Sequence, residues 1–220
     1  MLLPDVMGWF AWLPGMECRH GVVALAGATT GRLEVRDGDT VELGGGSVYV
    51  EKDWGSTFPK TWVWLQSNHF SCPGMGCNGT TLMLSVASVP FPSDQLELLR
   101  FRGFLGGLWT GGRLYRFATY TGATITAFSA NPTTFNVTLQ SQQHVLTVGA
   151  VADPLKAIKL YAPTPGGAFK PVVNEMLGAV VTVRLSRRAD GVVLFDGVGR
   201  HGGLEIESLE PSGMRLLTRP

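Results

Sequence analysis

The residues best suited to chemistry lie in one stretch of 22 residues, positions 49–70, which mixes acids, amides and indoles. It holds two acids, Glu51 and Asp53, and three of the six tryptophans of the chain. Aromatic walls with a few fixed polar groups are the usual composition of a small-molecule site. A carboxyl group in such surroundings is a candidate proton donor, because burial disfavours its charged form.

Extended backbone decides which of these side chains share a surface, because residues two apart in a strand point to the same face. On the first predicted strand, Tyr49, Glu51 and Asp53 therefore share one face. Lys52 and Trp54 point to the other. The carboxyl groups of Glu51 and Asp53 are therefore expected to lie on the same surface of the sheet.

The next predicted strand carries tryptophans followed by primary amides. One face holds Trp62, Trp64, Gln66, Asn68 and Phe70, and the opposite face holds Val63, Leu65, Ser67 and His69. A buried amide costs free energy unless it is paired, so amides on an aromatic face favour a surface that meets a polar ligand or neighbour. The alternative is a plain core in which the tryptophans pack together and the two acids pair with Arg or Lys of neighbouring strands.

Histidine provides weaker evidence. His69 is a candidate catalytic residue, although a lone strand histidine is more often a hydrogen-bonded structural residue. His20, His144 and His201 are scattered, and no His/carboxylate spacing typical of a metal site is present. The sequence also lacks Gly-x-Ser-x-Gly and a phosphate-binding loop ending in Lys-Ser/Thr. We therefore expect no metal and no nucleotide or other cofactor.

Turn signals between alternating segments predict antiparallel hairpins. Asp37-Gly38 separates Leu33–Val35 from Val41–Leu43, Gly111-Gly112 separates Phe104–Thr110 from Arg113–Thr121, and Asp190-Gly191 separates Val180–Ser186 from Val192–Val198. Further strands are predicted over 20–27, 47–54, 61–70, 80–89, 123–129, 133–140, 143–151 and 204–208. Short strands at regular spacing with turns between them are typical of an antiparallel barrel or sandwich.

Helical patterns are few and short, at Ser93–Leu99 and Pro171–Gly178. The stretch 153–175, with four prolines and two adjacent glycines, is the best candidate for a loop or lid, and a plain connection fits it equally. Neither a solenoid repeat nor a linker is visible in the sequence. We therefore expect one domain over residues 1–220.

Three cysteines allow at most one disulfide, and Cys72 and Cys77 are the only pair close in sequence. A zinc site would need a second pair of ligands, which the sequence lacks. We favour reduced thiols in a glycine-rich loop, as found in reducing compartments.

Composition excludes two classes of protein. The chain has 220 residues, of which 45% are hydrophobic, and its eighteen basic and seventeen acidic residues give a net charge of +1. A nucleic-acid-binding surface would need a clear basic excess. The apolar start is interrupted by Pro4, Asp5 and Gly8 without a basic segment before it, so it is not a signal peptide. No apolar run reaches the ~18 residues of a membrane-spanning helix.

The aromatic segment resembles the signature of the tocopherol cyclase family. The shared residues are Tyr49-x-Glu51-Lys52-Asp53-Trp54-Gly55-x-x-Phe58-Pro59-x-x-Trp62-x-Trp64-x-Gln66-x-Asn68-x-Phe70. Other stretches agree with it: Met16–Val23, Gly107–Trp109 with Tyr115–Gly122, and Gly199–Glu205. The resemblance covers about residues 7–207.

The resemblance implies an all-β fold with few short helices, either an antiparallel lipocalin-like barrel or half of a two-barrel protein. It also implies acid-catalysed, cofactor-independent ring closure of a phytyl- or prenyl-benzoquinol to a chromanol. Family members carry a further N-terminal region of barrel-like character, so this chain resembles their C-terminal part and a separate N-terminal half is a candidate partner. The implied compartment is the plastid in a photosynthetic eukaryote, with the cytoplasm as the other expectation.

The reaction assigns a role to each candidate residue. Ring closure protonates a trisubstituted alkene, after which the phenol oxygen attacks the tertiary carbocation. We expect Glu51 or Asp53 to supply the proton. Indole faces stabilise a desolvated cation by about 1–2 kcal/mol each. The expected substrate-binding residues are Tyr49, Trp54, Trp62, Trp64, Gln66 and Asn68, and the last two, or His69, orient the quinol hydroxyls.

Two alternatives use the same residues. A non-catalytic protein would bind a prenyl lipid or pigment in the aromatic cavity. An alkene hydratase acting on a carotenoid-like lipid would let water attack the cation instead of the phenol. Under each of these hypotheses we expect the ligand or substrate to be an apolar small molecule that the protein takes up through peripheral contact with a membrane.

Overall fold

The chain folds mainly into antiparallel strands, as the alternating sequence pattern predicts. The structure, a computed structural model, describes residues 6–36, 38–74, 76–90 and 100–207. The strands are β1 (Cys18–Ala28), β2 (Arg32–Glu34), β3 (Thr40–Glu42), β4 (Ser47–Gly55), β5 (Trp62–Ser67), β6 (Phe70–Ser71), β7 (Thr81–Pro90), β8 (Arg100–Thr110), β9 (Arg113–Ala118), β10 (Thr124–Asn131), β11 (Thr134–Gln140), β12 (His144–Val151), β13 (Ile158–Pro163), β14 (Phe169–Arg187) and β15 (Val193–Glu207). Short 3₁₀ helices lie at Gly8–Trp12, Thr119–Thr121 and Pro154–Lys156.

Most strands belong to one antiparallel sheet. Its order is β10-β11-β12-β14-β15-β5-β7-β8-β9, with β13 added to β14 and β6 added to β15. The all-β class is therefore confirmed. Barrel closure requires the two end strands to pair, but β9 and β10 are not paired within the described residues. The sheet is open, which corrects the closed barrel that the resemblance implies.

The main core lies between the two ends of this sheet. Leu65, Leu84 and Phe117 from one end are fully buried in the same cluster as Phe135 and Leu139 from the other. Burying apolar surface contributes about 25 cal/mol per Å². The two ends of the sheet can share this core only if the sheet curves. Their packing against each other is therefore what stabilises that curvature.

The three predicted hairpins are confirmed. The pairs β2–β3, β8–β9 and β14–β15 are each joined by the glycine-containing turn that the sequence predicts, although Asp37 itself lies outside the described residues. In the β8–β9 turn, Gly111 and Gly112 have φ values of 57° and 74°. Residues with a Cβ rarely adopt this left-handed conformation, so the turn requires glycine.

The helix predicted over Pro171–Gly178 is wrong. These residues belong to β14, which pairs with β13 on one side and with β15 on the other. Paired backbone on both sides outweighs the weak helical periodicity. The stretch 153–175 is likewise a hairpin of β13 and β14 rather than an irregular lid. The helix predicted over 93–99 lies outside the described residues.

Cys72 and Cys77 form a disulfide, in contrast to the reduced thiols expected from the sequence. Their Cα atoms are 6.0 Å apart, within the range that a disulfide requires. Both side chains pack against the main core. A spacing of five residues does not reveal this distance, because it depends on how the glycine-rich loop folds back on β6.

None of the helical segments in the described ranges has the length and apolar character needed to cross a membrane.

Candidate functional site

The tryptophans of β5 lie on the face of the sheet opposite the main core. Val63 and Leu65 are buried in that core, so alternation places Trp62 and Trp64 on the other face. A two-stranded ribbon of β1 and β4 covers this face. The aromatic face therefore lines a space between the sheet and the ribbon, as a surface that meets a ligand requires.

A half-open cleft lies between the ribbon and strands β5, β7, β8 and β15. Its volume is about 840 Å³ when the solvent at its mouth is included. The walls are mainly apolar and include Met7, Phe10, Phe58, Trp62, Trp64 and Leu105. The titratable groups that line it are Glu17, Cys18, His20, Glu51, Asp53 and Glu205. Apolar walls with a few convergent polar groups are what a small-molecule site requires.

His20 connects the two acids of β4. Its Nδ1 lies 2.6 Å from Oδ1 of Asp53, and its Nε2 lies 3.4 Å from Oε2 of Glu51. The side chain of His20 is only 10% exposed, compared with 19% for Glu51 and 30% for Asp53. No local pattern in the sequence selects this histidine. Pairing the predicted strands 20–27 and 47–54 would have found it, because His20 lies directly opposite Asp53.

Glu51 accepts two further hydrogen bonds within the cleft. The hydroxyl of Tyr49 and the indole Nε1 of Trp64 both donate to its Oε2, the latter at 3.3 Å. Burial raises the pKa of Glu51, while His20 and the Tyr49 hydroxyl act in the opposite direction. The described partners of this acid are therefore a histidine, a phenol and an indole rather than the Arg or Lys of the plain-core alternative.

Among the described residues, one cluster has donor atoms close enough together to hold a metal ion. It consists of His20, Glu51 and Asp53, whose donor atoms all lie within 4.8 Å of one another. A metal-binding imidazole offers one nitrogen to the ion. Here each carboxylate lies beside a different ring nitrogen. The geometry fits an imidazole that is hydrogen-bonded to Asp53 and lies within ion-pair distance of Glu51 better than a common set of metal ligands.

A third acid, Glu205 of β15, lies in the same cleft beside Trp62. The indole Nε1 of Trp62 donates a 2.7 Å hydrogen bond to Oε2 of Glu205. Burial raises the pKa of Glu205 to about 8, and the nearby carboxylates of Glu175, Asp53 and Glu51 act in the same direction. The sequence analysis quoted Glu205 in a matching stretch but did not place it in the site, because its partner is 143 residues away.

Cys18 completes the buried polar wall. Burial, together with the negative charge of Asp53, raises the pKa of its thiol to about 12. The thiol therefore stays protonated at neutral pH, which argues against a thiolate nucleophile in the cleft.

A buried ion pair fixes the ribbon to the sheet. Arg100 of β8 donates to both carboxylate oxygens of Glu17, at 3.1 and 2.6 Å. Its Nε also donates to Oγ of Ser88 at 2.9 Å. Two parallel hydrogen bonds of this kind fix orientation as well as distance. The pair therefore sets the position of β1, and with it His20, over the cleft.

The structure brings together five of the residues predicted from the sequence. Glu51, Asp53, Trp62 and Trp64 line the cleft, and Tyr49 binds Glu51. Their convergence depends on the ribbon formed by β1 and β4. The alternating pattern of the sequence predicted these two strands but not that they pair with each other.

The remaining predicted residues lie outside the cleft lining. Trp54 is 47% exposed, as its position opposite Glu51 and Asp53 on β4 predicts. His69 is exposed, and its ring packs edge-on against that of His201 with 5.4 Å between centroids. Gln66 and Asn68 are half-buried.

The continuous aromatic face predicted over Trp62 to Phe70 is also shorter than expected. The pairing breaks at positions 68–69, between β5 and β6. Phe70 then packs against Phe195 of the main core, with 5.6 Å between ring centroids. Alternation holds only within an unbroken strand, so this break moves Phe70 to the other side of the sheet.

Comparison with known proteins gives a consistent result. A family described as "Tocopherol cyclase-like" matches residues 4–208. A probable chloroplastic tocopherol cyclase of Oryza sativa subsp. japonica is 25% identical over 204 residues, which cover 90% of this chain and 41% of the rice protein. A chloroplastic tocopherol cyclase of Zea mays is 38% identical over 63 residues, covering 29% of this chain and 13% of the maize protein.

The chain spans about two fifths of the length of the rice relative. No solved structure gives a significant match. Because the family match covers all described residues, including the acids and both tryptophans of the cleft, the chain belongs to the tocopherol cyclase-like family.

Proposed function

We propose that this protein catalyses the acid-promoted, cofactor-independent ring closure of a prenylated benzoquinol to a chromanol. The observation that supports this most strongly is the convergence of acids and indoles in one half-buried apolar cleft. Membership of the family supports it further, since the named rice and maize relatives are tocopherol cyclases.

The reaction needs no external oxidant or reductant. A proton adds to the less substituted alkene carbon, the phenol oxygen attacks the tertiary carbocation, and the phenol proton leaves. Substrate and product are isomers. The cleft must therefore supply a proton, accept a proton, stabilise a cation and exclude water from it.

Each requirement has a candidate in the cleft. The faces of Trp62 and Trp64 would stabilise the cation, by about 1–2 kcal/mol each where water is excluded. Glu51 and Asp53, held by His20, are the acids that the sequence indicates for proton transfer. Tyr49, which donates to Glu51, would help to orient a quinol hydroxyl beside that acid.

We propose that the substrate enters from a membrane surface next to the β13–β14 hairpin. Ala162 and Val173 of this hairpin are buried against Trp62 of the cleft wall. The same hairpin exposes Tyr161 and Phe169, at 68% and 66%. Exposed apolar side chains with nearby lysines are typical of surfaces that bind anionic lipid. The nearby exposed lysines are Lys156, Lys159 and Lys170.

The compartment follows from the same proposal. The rice and maize relatives are chloroplastic by name. We propose a plastid location for this chain if its source is a photosynthetic eukaryote.

The test is incubation of the purified protein with a phytylated benzoquinol in lipid vesicles, followed by mass spectrometry. Because the chain spans only part of its relatives, the assay is run alone and with the N-terminal region of the rice relative added. We expect a chromanol of unchanged mass, and Glu51→Gln should lower its rate of formation by about 100-fold or more. The control variant is Glu42→Gln on the exposed strand β3.

The outcomes separate the three readings. A product heavier by one water would identify a hydratase. Quenching of tryptophan fluorescence by the quinol without any product, in both arms of the assay, would identify a binding protein and contradict the proposal.

A further inference from the structure

Four acids line the cleft beneath the ribbon. Glu17 is paired with Arg100, and the surroundings of the other three differ from one another. Asp53 lies 2.6 Å from Nδ1 of His20. Glu51 accepts from Tyr49 and Trp64 and faces Nε2 of His20. Burial raises the pKa of Glu51, but the imidazole and the donors beside it act in the opposite direction and favour its anionic form. These two acids are therefore arranged as hydrogen-bond acceptors.

Glu205 is arranged differently. Among the described residues, no Lys, Arg or His lies within ion-pair distance of Glu205. Its carboxyl group accepts a hydrogen bond from Trp62. An indole nitrogen can only donate, so the oxygen that it meets, Oε2, acts as the acceptor. A proton on this acid is then carried by Oε1.

The groups that face Glu205 come from every neighbouring strand of the site. Glu175 pairs with it from β14, and Glu51 and Asp53 approach from β4. Cys18 of β1 also interacts with it. The acids among these groups oppose a negative charge on Glu205, and His20, the basic residue among those lining the cleft, is already engaged with the acids of β4.

Resting on the proposed function, we propose that Glu205 is the proton donor of the ring closure and that Glu51 is the acceptor. The Oε1–H bond of Glu205 breaks as the proton adds to the alkene, and the phenol oxygen closes the ring on the carbocation. The phenol proton passes to the Glu51 carboxylate. Between turnovers the proton returns to Glu205 through the solvent at the open mouth of the cleft, so neither atoms nor charge are gained or lost.

The placement of the tryptophans agrees with this division of roles. Trp62 binds the donor and Trp64 binds the acceptor, and the two residues share one face of β5. A substrate lying along this face would therefore have its alkene end near Glu205 and its phenol end near Glu51. Each indole holds an acid by its edge, which leaves its ring face available to the cation.

The first measurement needs no activity. Infrared spectra of the full chain, recorded over a series of pH values through about 8, should show a carbonyl stretch of a protonated carboxylic acid that disappears as the pH rises through that value. The band should be absent in Glu205→Gln and present in Glu207→Gln. Glu207 is a suitable control because it lies on the same strand and accepts its hydrogen bonds from Asn174.

The second measurement is the rate of chromanol formation. Glu205→Gln should lower it by about 100-fold or more while quinol binding, followed by tryptophan fluorescence, is unchanged. Glu205→Asp keeps an acid and should recover part of the rate, which a purely structural role would not require. Circular dichroism establishes that each variant is folded.

The results distinguish this inference from the proposed function. Loss of the infrared band and of the rate in Glu205→Gln supports both. Full cyclisation by Glu205→Gln, or an infrared band that survives the substitution, would overturn the donor role alone. A wild-type protein that shows the band but forms no chromanol in either arm of the assay would overturn the proposed function and the donor role with it.

Discussion

The indole nitrogen of Trp62 lies 2.7 Å from Oε2 of Glu205, and this contact joins β5 to β15, the last described strand of the chain. Trp64 makes the corresponding contact with Glu51 at 3.3 Å. The two tryptophans that wall the cleft therefore also hold two of its acids. Any change that displaces an indole is expected to alter both the shape and the proton chemistry of the site.

The free energy of unfolding of the protein should fall as the pH rises, because Glu205 binds its proton more tightly in the folded state. In the unfolded chain this acid loses its proton near its ordinary pKa of 4.5, whereas in the folded protein it keeps the proton up to about 8. Between these values the unfolded state binds fewer protons, so Glu205 lowers the free energy of unfolding by up to about 1.4 kcal/mol per pH unit. Urea denaturation at several pH values should show a steeper fall for the wild type than for Glu205→Gln. Parallel curves for the two proteins would contradict the shifted pKa.

Loss of the imidazole should destabilise the acids of β4. In His20→Phe, Asp53 and Glu51 lose their common partner, and we expect the free energy of unfolding to fall by about 1–3 kcal/mol. Adding Asp53→Asn should recover part of the loss, because the unpaired carboxylate is then gone. His69→Phe, at an exposed position, serves as control and should change stability by less than about 0.5 kcal/mol. Equal losses in the two single variants would argue against the network.

The ion pair that fixes the ribbon should be worth more than an exposed pair. Arg100 and Glu17 have side chains only 14% and 21% exposed, whereas Arg184 and Asp196 are 59% and 56% exposed. We expect Arg100→Met to cost about 3 kcal/mol, because it leaves a shielded carboxylate unpaired. Arg184→Met should cost less than about 1 kcal/mol. Thermal unfolding of both variants makes the comparison, and a larger effect of Arg184→Met would refute it.

Space behind Trp64 is limited by a glycine. A Cβ on Gly203 would lie 2.8 Å from Cζ3 of Trp64 and 3.1 Å from Oε1 of Glu175. Gly203→Ala should therefore displace the indole, weaken its bond to Glu51, shift the tryptophan fluorescence and cost about 1–3 kcal/mol of stability. Gly178→Ala is the matched control, because nothing lies within 4 Å of its Cβ position. An unchanged emission spectrum in Gly203→Ala would show that the indole is not confined in this way.

The β13–β14 hairpin should determine binding to lipid. We expect Tyr161→Ser with Phe169→Ser to reduce co-flotation with anionic vesicles, because both removed side chains are exposed and apolar. Leu33→Ser with Val41→Ser makes a comparable change on the exposed β2–β3 hairpin and should leave flotation unchanged. If the two double variants float equally, the membrane contact lies elsewhere.

Local patterns predicted local structure well. Alternation and glycine turns predicted the strands and the three hairpins, and they placed Glu51 with Asp53 and Trp62 with Trp64. These features depend on neighbours in sequence, for which the period of two is sufficient. The closed barrel and the helix at Pro171–Gly178 were wrong because each depends on which strands pair, and the reduced cysteines were wrong because the disulfide depends on how the loop after β6 folds.

The same limit explains the residues that the sequence missed. His20 enters the site only through the pairing of β1 with β4, and Glu205 only through that of β15 with β5. A lone histidine and a lone glutamate carry no periodic signal. The acids and indoles of the 49–70 segment were visible because they lie close together along the chain, whereas their partners are brought in by the sheet.

The 143-residue separation of Trp62 and Glu205 also has a kinetic consequence. Closing so long a loop carries an entropy cost before any contact compensates for it, and sheets built from distant strands fold slowly, in milliseconds to seconds. The cleft can therefore exist only after β15 has docked beside β5. During synthesis, the indoles of β5 would therefore leave the ribosome long before β15, which supplies the acid bound by Trp62.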